Sequence, residues 1–257
     1  MRIIHPTAIV DAKAELGEDV KIGPYCVVGP HVRLGDAVCL RSHVVVDGHT
    51  TMGARCTVWP FASIGTQTQD LKFRGGAPRA EIGEDTMIRE CVTLSTATAD
   101  GDVTRVGARC LLMASSHVAH DCLVGNDVIL ANCALLAGHV VLEDQVVLGG
   151  LSGVHQFVRI GRLTIVGGCS KVTQDLPPFM IADGHPIQVR AINRIGLKRR
   201  GVSEDAQQQL KAAHRILYRE GLSVRQALQK MTEALVKTEE VIHLMRFIEA
   251  SERGVGG

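Results

Sequence analysis

Aromatic side chains are scarce in this chain of 257 residues, where Phe, Trp and Tyr together make up 3% of the composition. Hydrophobic residues nevertheless reach 46%, which suits an interior filled by Val, Ile, Leu and Ala. Charge of one sign is not in excess either, since the formal net charge is +1. That balance gives no general case for binding nucleic acid, which requires a basic surface.

Paired cysteine motifs and long apolar runs are also missing. The eight cysteines include no Cys-x-x-Cys pair, which predicts reduced packing residues in a reducing compartment. The segment Met1–Pro6 lacks the apolar run of a signal peptide, and no stretch approaches the length needed to span a bilayer. We therefore expect a cytoplasmic protein without an integral membrane segment.

What the sequence does contain is a strict period of six. An aliphatic residue recurs at every sixth position from Leu16 to Ile64, from Ile82 to Leu94 and from Val106 to Val172. This period fits neither an amphipathic helix nor an ordinary β-meander. Hexapeptide repeats are typical of a parallel β-helix, in which three units close a coil of roughly 18 residues. A Val-rich antiparallel sandwich is the alternative, but its alternation would not hold one phase over so many units.

The repeat contains regularly placed glycines and is interrupted twice. A glycine often follows the aliphatic residue, and we expect it to form the tight corner, where φ is positive. The repeats suffice for roughly eight coils stacked about 4.8 Å apart. The interruptions, near residues 66–81 and 95–105, must leave the solenoid as loops at a corner. The first contains a polar set that includes Gln69 and Lys72, which favours a ligand-contacting loop over a merely tolerated insertion.

The organisation changes near Pro177, where the hexads stop, and a helical pattern begins at about residue 190. We therefore predict two domains, a mainly β solenoid at residues 1–185 and a small α-helical C-terminal domain at residues 186–257. Ser203 and Ser223 are suitable helix N-caps, the latter within a capping box. The basic run that follows the boundary is either a solvated helix face or an anion site for a nucleotide diphosphate or an acidic carrier protein. Its members are Arg190, Arg194, Lys198, Arg199 and Arg200.

Four histidines recur at nearly the same position of successive coils. Divided by the coil length, the numbers of His117, His120, His139 and His155 leave remainders between 9 and 13. The four imidazoles should therefore gather along one edge of the prism. Imidazole is the side chain best suited to proton transfer near neutral pH.

The neighbours of His120 suggest base catalysis. Asp121 follows it directly and is able to orient the ring, and Gly138 lies one coil above in the same phase, where its N–H is available to an oxyanion. His117 and His155 have a structural alternative as polar edge residues bonded to a neighbouring coil. Zinc is another alternative, because trimeric β-helix carbonic anhydrases bind it through a His-x4-His spacing. The spacing here is His-x2-His with a carboxylate behind it, and we expect no metal.

Taken together, the motifs resemble the UDP-N-acetylglucosamine O-acyltransferase family, which opens lipid A synthesis for lipopolysaccharide. The matching segments cover essentially the whole chain: His5–Val10, Gln69–Lys72, His117–Cys122, Gly138–His139, Val154–Phe157, Val166–Ser170 and Gly196–Gly201. The resemblance implies a left-handed solenoid and a homotrimer whose active sites lie between neighbouring prisms. It also implies no cofactor, because the acyl group arrives on the phosphopantetheine of acyl carrier protein.

The resemblance further implies a role for each matching residue. His120 is expected to be the general base for the sugar 3-hydroxyl, Asp121 its orienting partner and Gly138 the oxyanion donor. The residues that match positions holding the sugar nucleotide or the acyl donor are Lys72, Gln69, His117, His139, His155, Gln156, Asn193, Arg199 and Arg200. Gly168 matches the end of the acyl groove, where the absence of a side chain implies a long 3-hydroxyacyl chain.

Other functions share parts of the pattern. N-acylation of a 3-amino UDP-sugar would use the same residues, and an acetyl-CoA-dependent sugar-nucleotide acetyltransferase would share the solenoid but usually lacks the helical tail with Leu197–Arg200. The N-acyltransferase of the same pathway carries a separate N-terminal uridine-binding domain, for which hexads beginning at Leu16 leave no room. A β-helix scaffold that only trimerises is the non-catalytic hypothesis, and the histidine edge argues against it.

Overall fold

Each hexapeptide unit forms one very short strand, because the aliphatic residue faces inward and the residue before it faces outward. The computed structural model describes residues 1–256. Its strands are β1 (Ile3–Ile4), β2 (Ile9–Val10), β3 (Glu15–Leu16), β4 (Lys21–Ile22), β5 (Val27–Val28), β6 (Arg33–Leu34), β7 (Cys39–Leu40), β8 (Val45–Val46), β9 (His49–Met52), β10 (Thr57–Val58), β11 (Ser63–Thr66), β12 (Arg79–Ile82), β13 (Met87–Ile88), β14 (Thr93–Ser95), β15 (Val103–Val106), β16 (Leu111–Leu112), β17 (His117–Val118), β18 (Leu123–Val124), β19 (Ile129–Leu130), β20 (Leu135–Leu136), β21 (Val141–Leu142), β22 (Val147–Leu148), β23 (Gly153–Val154), β24 (Arg159–Ile160), β25 (Ile165–Val166), β26 (Lys171–Val172), β27 (Met180–Asp183) and β28 (Gln188–Ile192).

Three parallel sheets form the sides of the prism. The first runs in the order β1-β4-β7-β10-β13-β16-β19-β22-β25, the second as β2-β5-β8-β11-β14-β17-β20-β23-β26, and the third as β3-β6-β9-β12-β15-β18-β21-β24. Each strand therefore pairs with the strand three places further along the chain, one coil away. Ile3 pairs with Lys21 in this way, and His117 with Leu135.

The core is the column of aliphatic residues that set the period. From Ile22 to Val172 every one of them is at most 3% exposed. The same frame extends two hexapeptide units earlier than the repeats predict, through Ile4 in β1 and Val10 in β2. Ile4 is 43% exposed, because no further coil covers that end of the prism.

The glycines of the repeat do not serve the purpose predicted for them. The left-handed corner residue comes two positions after the glycine and is usually not glycine, as at Tyr25, where φ is 58°. Gly35 is required for a different reason: a Cβ there would lie 2.7 Å from the backbone nitrogen of Ala54 in the next coil. The expectation of positive φ was wrong for most of these residues, with Gly65, where φ is 71°, as an exception. Close approach between coils excludes a side chain at the glycine. Positive φ is instead required at the corner residue two positions later.

The solenoid ends in a β-hairpin and four helices. β27 extends the first sheet, and β28 pairs with it in the antiparallel direction. The helices are α1 (Arg194–Arg199), α2 (Glu204–Arg219), α3 (Val224–Ala234) and α4 (Glu239–Glu249). Ser203 caps α2, and Ser223 caps α3 with the capping box closed by Gln226, which confirms both predicted N-caps.

The predicted boundary at residue 185 falls inside this hairpin, so that the helical segment begins only at Arg194. Arg190, the first member of the basic run, accordingly lies in β28, where it forms an ion pair with Asp183 at 2.6 Å. The remaining four basic residues lie in or directly after α1. Within residues 1–256, no helix has both the length and the apolar character that crossing a membrane requires.

Glu143 and Asp175 of the solenoid both contact the helical segment. Glu143 accepts a hydrogen bond from the backbone N–H of Arg162 at 2.8 Å and contacts His243 Nε2 of α4 at 2.7 Å. Asp175, which is 1% exposed, accepts one from the hydroxyl of Ser251 beyond α4 at 2.8 Å. The C-terminal end of the prism is therefore covered by the helical segment, whereas its N-terminal end is open.

Candidate active site

A cluster of two histidines and one aspartate lies at the corner between the second and third sheets. Asp121 and His139 are the left-handed corner residues of adjacent coils, each with φ of 60°. The stacking of coils brings the rings of His120 and His139 to a centroid distance of 5.3 Å, edge to face. Phe157, one coil further on, stacks on His139 at 4.6 Å. The predicted histidine edge thus exists, and it closes into a compact cluster around His120.

His120 is held by the carboxylate that follows it. Its Nδ1 lies 2.8 Å from Asp121 Oδ2, and a carboxylate only accepts, so Nδ1 carries the proton. The other oxygen, Asp121 Oδ1, accepts from the backbone N–H of Thr98 at 3.2 Å. The His120 side chain is 16% exposed and that of Asp121 10%. This arrangement leaves the lone pair of His120 on Nε2, which is the configuration of a general base.

Gly138 lies directly against the imidazole of His120. A Cβ added to this glycine would be 2.5 Å from His120 Nε2 and 3.0 Å from Nδ1, so any other residue would displace the ring. The Gly138 N–H has no hydrogen-bond acceptor among residues 1–256, whereas the next N–H, of His139, donates to His120 O at 3.0 Å. A free backbone donor therefore lies beside the His120 imidazole.

The first loop contributes a residue that the predicted set did not include. Asp70 Oδ2 lies 4.0 Å from His120 Nε2. The loop is tied to the second insertion by the hydroxyls of Thr68 and Thr98, which are 3.3 Å apart. The N–H of Lys72 donates to Asp70 Oδ1 at 2.9 Å, and this bond, assisted by the positive charge of Lys72, lowers the Asp70 pKa despite partial desolvation. Asp70 is therefore an anion beside the base at neutral pH.

A mostly apolar groove begins next to this cluster. It has a volume of about 410 Å³, and His117 and His155 stand in its lining with Leu135 and Lys171. His117 Nδ1 is 2.7 Å from the hydroxyl of Thr93. Burial lowers the pKa of His117, so this imidazole is neutral at pH 7. Both histidines are thus placed to contact a ligand in the groove.

Other predicted residues lie at the rim of this region. Gln69 and Lys72 are exposed in the first loop, and Gln156 is exposed beside His155. The Gln156 carbonyl oxygen lies 3.1 Å from His155 Nδ1. None of the three side chains is held by a hydrogen bond to another described residue, so all three are available to a ligand.

The C-terminal residues of the predicted set lie elsewhere on the chain. Arg199 and Arg200 line a cavity of about 820 Å³ over the first sheet, with Ile129, Val147 and Ile165 at its floor. Asn193 is 3% exposed and its amide caps α1, accepting from Gly196 N at 2.9 Å and donating to Leu163 O at 2.8 Å. Gly168 is exposed at a different corner, where the nearest atom to an added Cβ is Gly150 O at 3.2 Å. One chain does not bring these residues to the histidines.

The cluster also offers three potential metal ligands. Atoms of His120, Asp121 and His139 all lie within 4.8 Å of one another. Two ligands of a tetrahedral zinc at about 2.0–2.1 Å would be roughly 3.3 Å apart. The 2.8 Å between His120 Nδ1 and Asp121 Oδ2 is instead a hydrogen-bond distance. As arranged, the cluster suits proton transfer, and the expectation of no metal stays a prediction.

Known proteins with similar sequences and structures share this fold. A family model described as UDP N-acetylglucosamine O-acyltransferase, domain 2, matches residues 175–256, and a bacterial transferase hexapeptide model matches residues 13–48. The acyl-[acyl-carrier-protein]–UDP-N-acetylglucosamine O-acyltransferases of Thiobacillus denitrificans and Thermodesulfovibrio yellowstonii are 46% and 45% identical, each over 99% of both chains. The crystal structure of a UDP-N-acetylglucosamine acyltransferase from Bacteroides fragilis matches with a TM-score of 0.96 and 37% identity, over 98% of this chain and 99% of that one. These matches confirm the predicted left-handed parallel β-helix with C-terminal helices.

Proposed function

The chain belongs to the acyl-[acyl-carrier-protein]–UDP-N-acetylglucosamine O-acyltransferase family and is an acyltransferase, and on this premise we propose its reaction in full. It transfers a 3-hydroxyacyl chain from acyl carrier protein to the 3-hydroxyl of UDP-N-acetylglucosamine, the first step of lipid A biosynthesis. The observation that carries this proposal is the hydrogen-bonded pair of His120 and Asp121, with Gly138 N–H unpaired beside it.

His120 acts as the general base. Its Nε2 takes the proton of the sugar 3-hydroxyl while the hydroxyl oxygen attacks the thioester carbonyl carbon. Asp121 holds Nδ1–H and stabilises the imidazolium that forms, and Asp70 adds a second negative charge 4.0 Å from Nε2. Two carboxylates near one imidazole favour its charged form, which is the form that this step creates.

Gly138 stabilises the tetrahedral intermediate. The carbonyl oxygen becomes negative as the new C–O bond forms, and the free N–H of Gly138 donates to it. The intermediate then collapses by expelling the thiolate of phosphopantetheine, to which the proton held on His120 is returned. The chemistry uses only groups of the protein and the two substrates, so we propose that it needs neither a metal nor a cofactor.

The distribution of the remaining residues supports an assembly of more than one chain. Arg199 and Arg200 lie over the first sheet, away from the histidine corner, yet their charges suit the phosphates of a nucleotide diphosphate or of phosphopantetheine. We propose a homotrimer in which the first sheet of one chain faces the histidine corner of the next. Each active site would then be built by two chains.

We propose a preference for a long acyl chain, because Gly168 matches the position at the end of the family's acyl groove and carries no side chain. An added Cβ at this exposed glycine approaches only Gly150 O, at 3.2 Å. We therefore expect Gly168→Met to fold and to shift the preference from long toward shorter 3-hydroxyacyl donors. The ratio of kcat/KM values for a long and a short acyl carrier protein measures this shift, and an unchanged ratio would show that the groove ends elsewhere.

The experiment that tests the reaction combines the purified protein with UDP-N-acetylglucosamine and a panel of 3-hydroxyacyl carrier proteins. Mass spectrometry should show an acylated sugar nucleotide, and His120→Ala should reduce its rate of formation by roughly 10²–10⁴-fold. Product formed only from a 3-amino UDP-sugar, or only with acetyl-CoA, would replace the proposed substrates by one of those alternatives.

A matched control replaces a histidine that lies far from the cluster. His31 stacks on His49 at 4.3 Å near the N-terminal end of the prism, far along the chain from the cluster. His31→Ala should therefore leave the rate unchanged. If His120→Ala were as active as His31→Ala, the assignment of His120 as the base would be wrong.

A further inference from the structure

The C-terminal segment after α4 returns to the solenoid as a strap, formed by residues 251–256. The N–H of Asp175 donates to Gly254 O at 3.1 Å, and that of Gly256 donates to Asp175 O at 2.8 Å. Val255 and Asp175 form a parallel β-bridge. The strap therefore adds a partial strand to the last coil, next to the groove that contains His155.

Arg253 is the strap residue that reaches this groove. Its Nη2 donates to Thr173 O at 3.3 Å and lies 3.4 Å from His155 Nδ1. Thr173 and His155 both line the groove. Among residues 1–256, no acidic side chain forms an ion pair with Arg253, so its guanidinium is directed to these two acceptors alone.

The two neighbours of His155 Nδ1 demand opposite protonation. The Gln156 carbonyl oxygen, 3.1 Å away, only accepts and favours a proton on Nδ1. The Arg253 guanidinium only donates and favours a lone pair there. A hydrogen bond from a charged donor is roughly twice as strong as a neutral one, which offsets the longer distance. Nε2, which has no hydrogen-bond partner among the described residues, then carries the proton.

We propose that Arg253 is a positioning residue that selects the Nε2–H tautomer of His155, so that this imidazole donates a hydrogen bond to a carbonyl of the acyl donor in the groove. The thioester and the two amides of a phosphopantetheine arm supply such carbonyls. The inference rests on the proposed function only for the identity of the donor. Without the guanidinium, Gln156 O would hold Nδ1–H, and Nε2 would become an acceptor that repels the same carbonyl.

The tautomer is measured directly in the full-length protein labelled with ¹⁵N-histidine. The resonances of His155 are identified by their loss in His155→Gln, and two-bond ¹⁵N–¹H correlations show which nitrogen is protonated. The wild type and Arg253→Lys should carry the proton on Nε2, and Arg253→Met should carry it on Nδ1. An Arg253→Met protein with the wild-type tautomer would overturn the proposal.

Kinetics test the consequence for the donor. Arg253→Met should raise KM for 3-hydroxyacyl carrier protein by roughly tenfold, with kcat and KM for UDP-N-acetylglucosamine unchanged, since the lost bond stabilises the bound donor uniformly. Arg253→Lys should restore most of the affinity. A tautomer that changes while KM for the donor does not would refute the role in donor binding.

Ser251→Ala is the matched control in the same strap. It removes the hydrogen bond to Asp175 but keeps Arg253, so it should lower the melting temperature and leave the His155 tautomer unchanged. If Ser251→Ala also moved the proton to Nδ1, strap packing rather than the guanidinium would set the tautomer. A wild-type protein that makes no acylated product would refute the proposed function, while the tautomer measurement would still decide the inference.

Discussion

Replacement of Gly138 by alanine is the sharpest test of how the base is positioned. The added Cβ would lie 2.5 Å from His120 Nε2, whereas ordinary contacts between such atoms are about 3.5–4.0 Å. The ring must therefore retreat by roughly 1 Å. The Gly138 N–H survives the substitution, so the proposed oxyanion donor is retained and only the proposed base, His120, moves.

The expected loss of activity follows from this displacement. A misplacement of about 1 Å costs on the order of 10²-fold in rate, and we expect kcat/KM of Gly138→Ala to fall by about that factor. Stability should change little, because the ring lies at a partly exposed corner and can rotate away. Backbone strain does not arise, since Gly138 is not among the described residues with positive φ. Steady-state kinetics and thermal unfolding of the same preparation measure both quantities.

Gly35→Ala is the control, because it should lower stability without lowering the activity of the folded protein. Its Cβ would lie 2.7 Å from the backbone nitrogen of Ala54, which cannot rotate away. Overpacking of this kind costs about 1–3 kcal/mol, so this variant should melt earlier and yet keep the activity of the folded enzyme. A Gly138→Ala protein with wild-type kcat/KM, or one whose activity fell only in proportion to its unfolding, would refute the argument.

Two further predictions concern stability. Burial raises the pKa of Glu143, but the bonds from His243 and the Arg162 N–H outweigh it and leave this pKa below its usual value; Glu143→Gln should therefore cost roughly 1–3 kcal/mol at pH 7. This difference in unfolding free energy from the wild type is fully present above about pH 4.3 and is lost as the pH falls through the lower pKa of Glu143 in the folded state. Urea unfolding at pH 7 and near pH 3.5 can test this. A difference that stays constant with pH would contradict a stabilising role of the ionised Glu143. Asn193→Ala should cost about 1–3 kcal/mol in urea unfolding, because it removes the cap of α1 and leaves Leu163 O without its donor; unchanged stability would show that this amide serves only a ligand.

The period of six was sufficient to predict the fold, because each coil of a solenoid contacts only its neighbours. The inward residues from Ile22 to Val172 are all buried, as their phase requires. The phase also predicted that His120 and His139 share one edge of the prism, since their separation of 19 residues is one more than the coil length. The helix caps at Ser203 and Ser223 were predictable for a similar reason, because a capping side chain bonds within three residues.

Contacts of the loops and the strap have no period and were not predictable in this way. Asp70 approaches His120 from a loop fifty positions earlier in the chain, and the sequence places it only among several polar loop residues. The contact of Arg253 with His155 spans 98 residues. That of His243 with Glu143 spans 100. Nothing in the local pattern distinguishes these residues from other exposed polar side chains.

The solenoid, its inward face and the edge that carries the clustered histidines could therefore be predicted from the sequence alone. The structure was needed to show that the corners with positive φ belong to residues such as Asp121 and His139, and that glycine is required where coils approach each other. It also decided that Asn193 caps a helix and that Arg199 lies away from the histidines of its own chain. This difference arises because the contacts of one coil recur in the neighbouring coils, so the period of the sequence predicts them. Loops, caps and tails instead contact residues distant in the sequence, and those contacts depend on the packing of the whole chain.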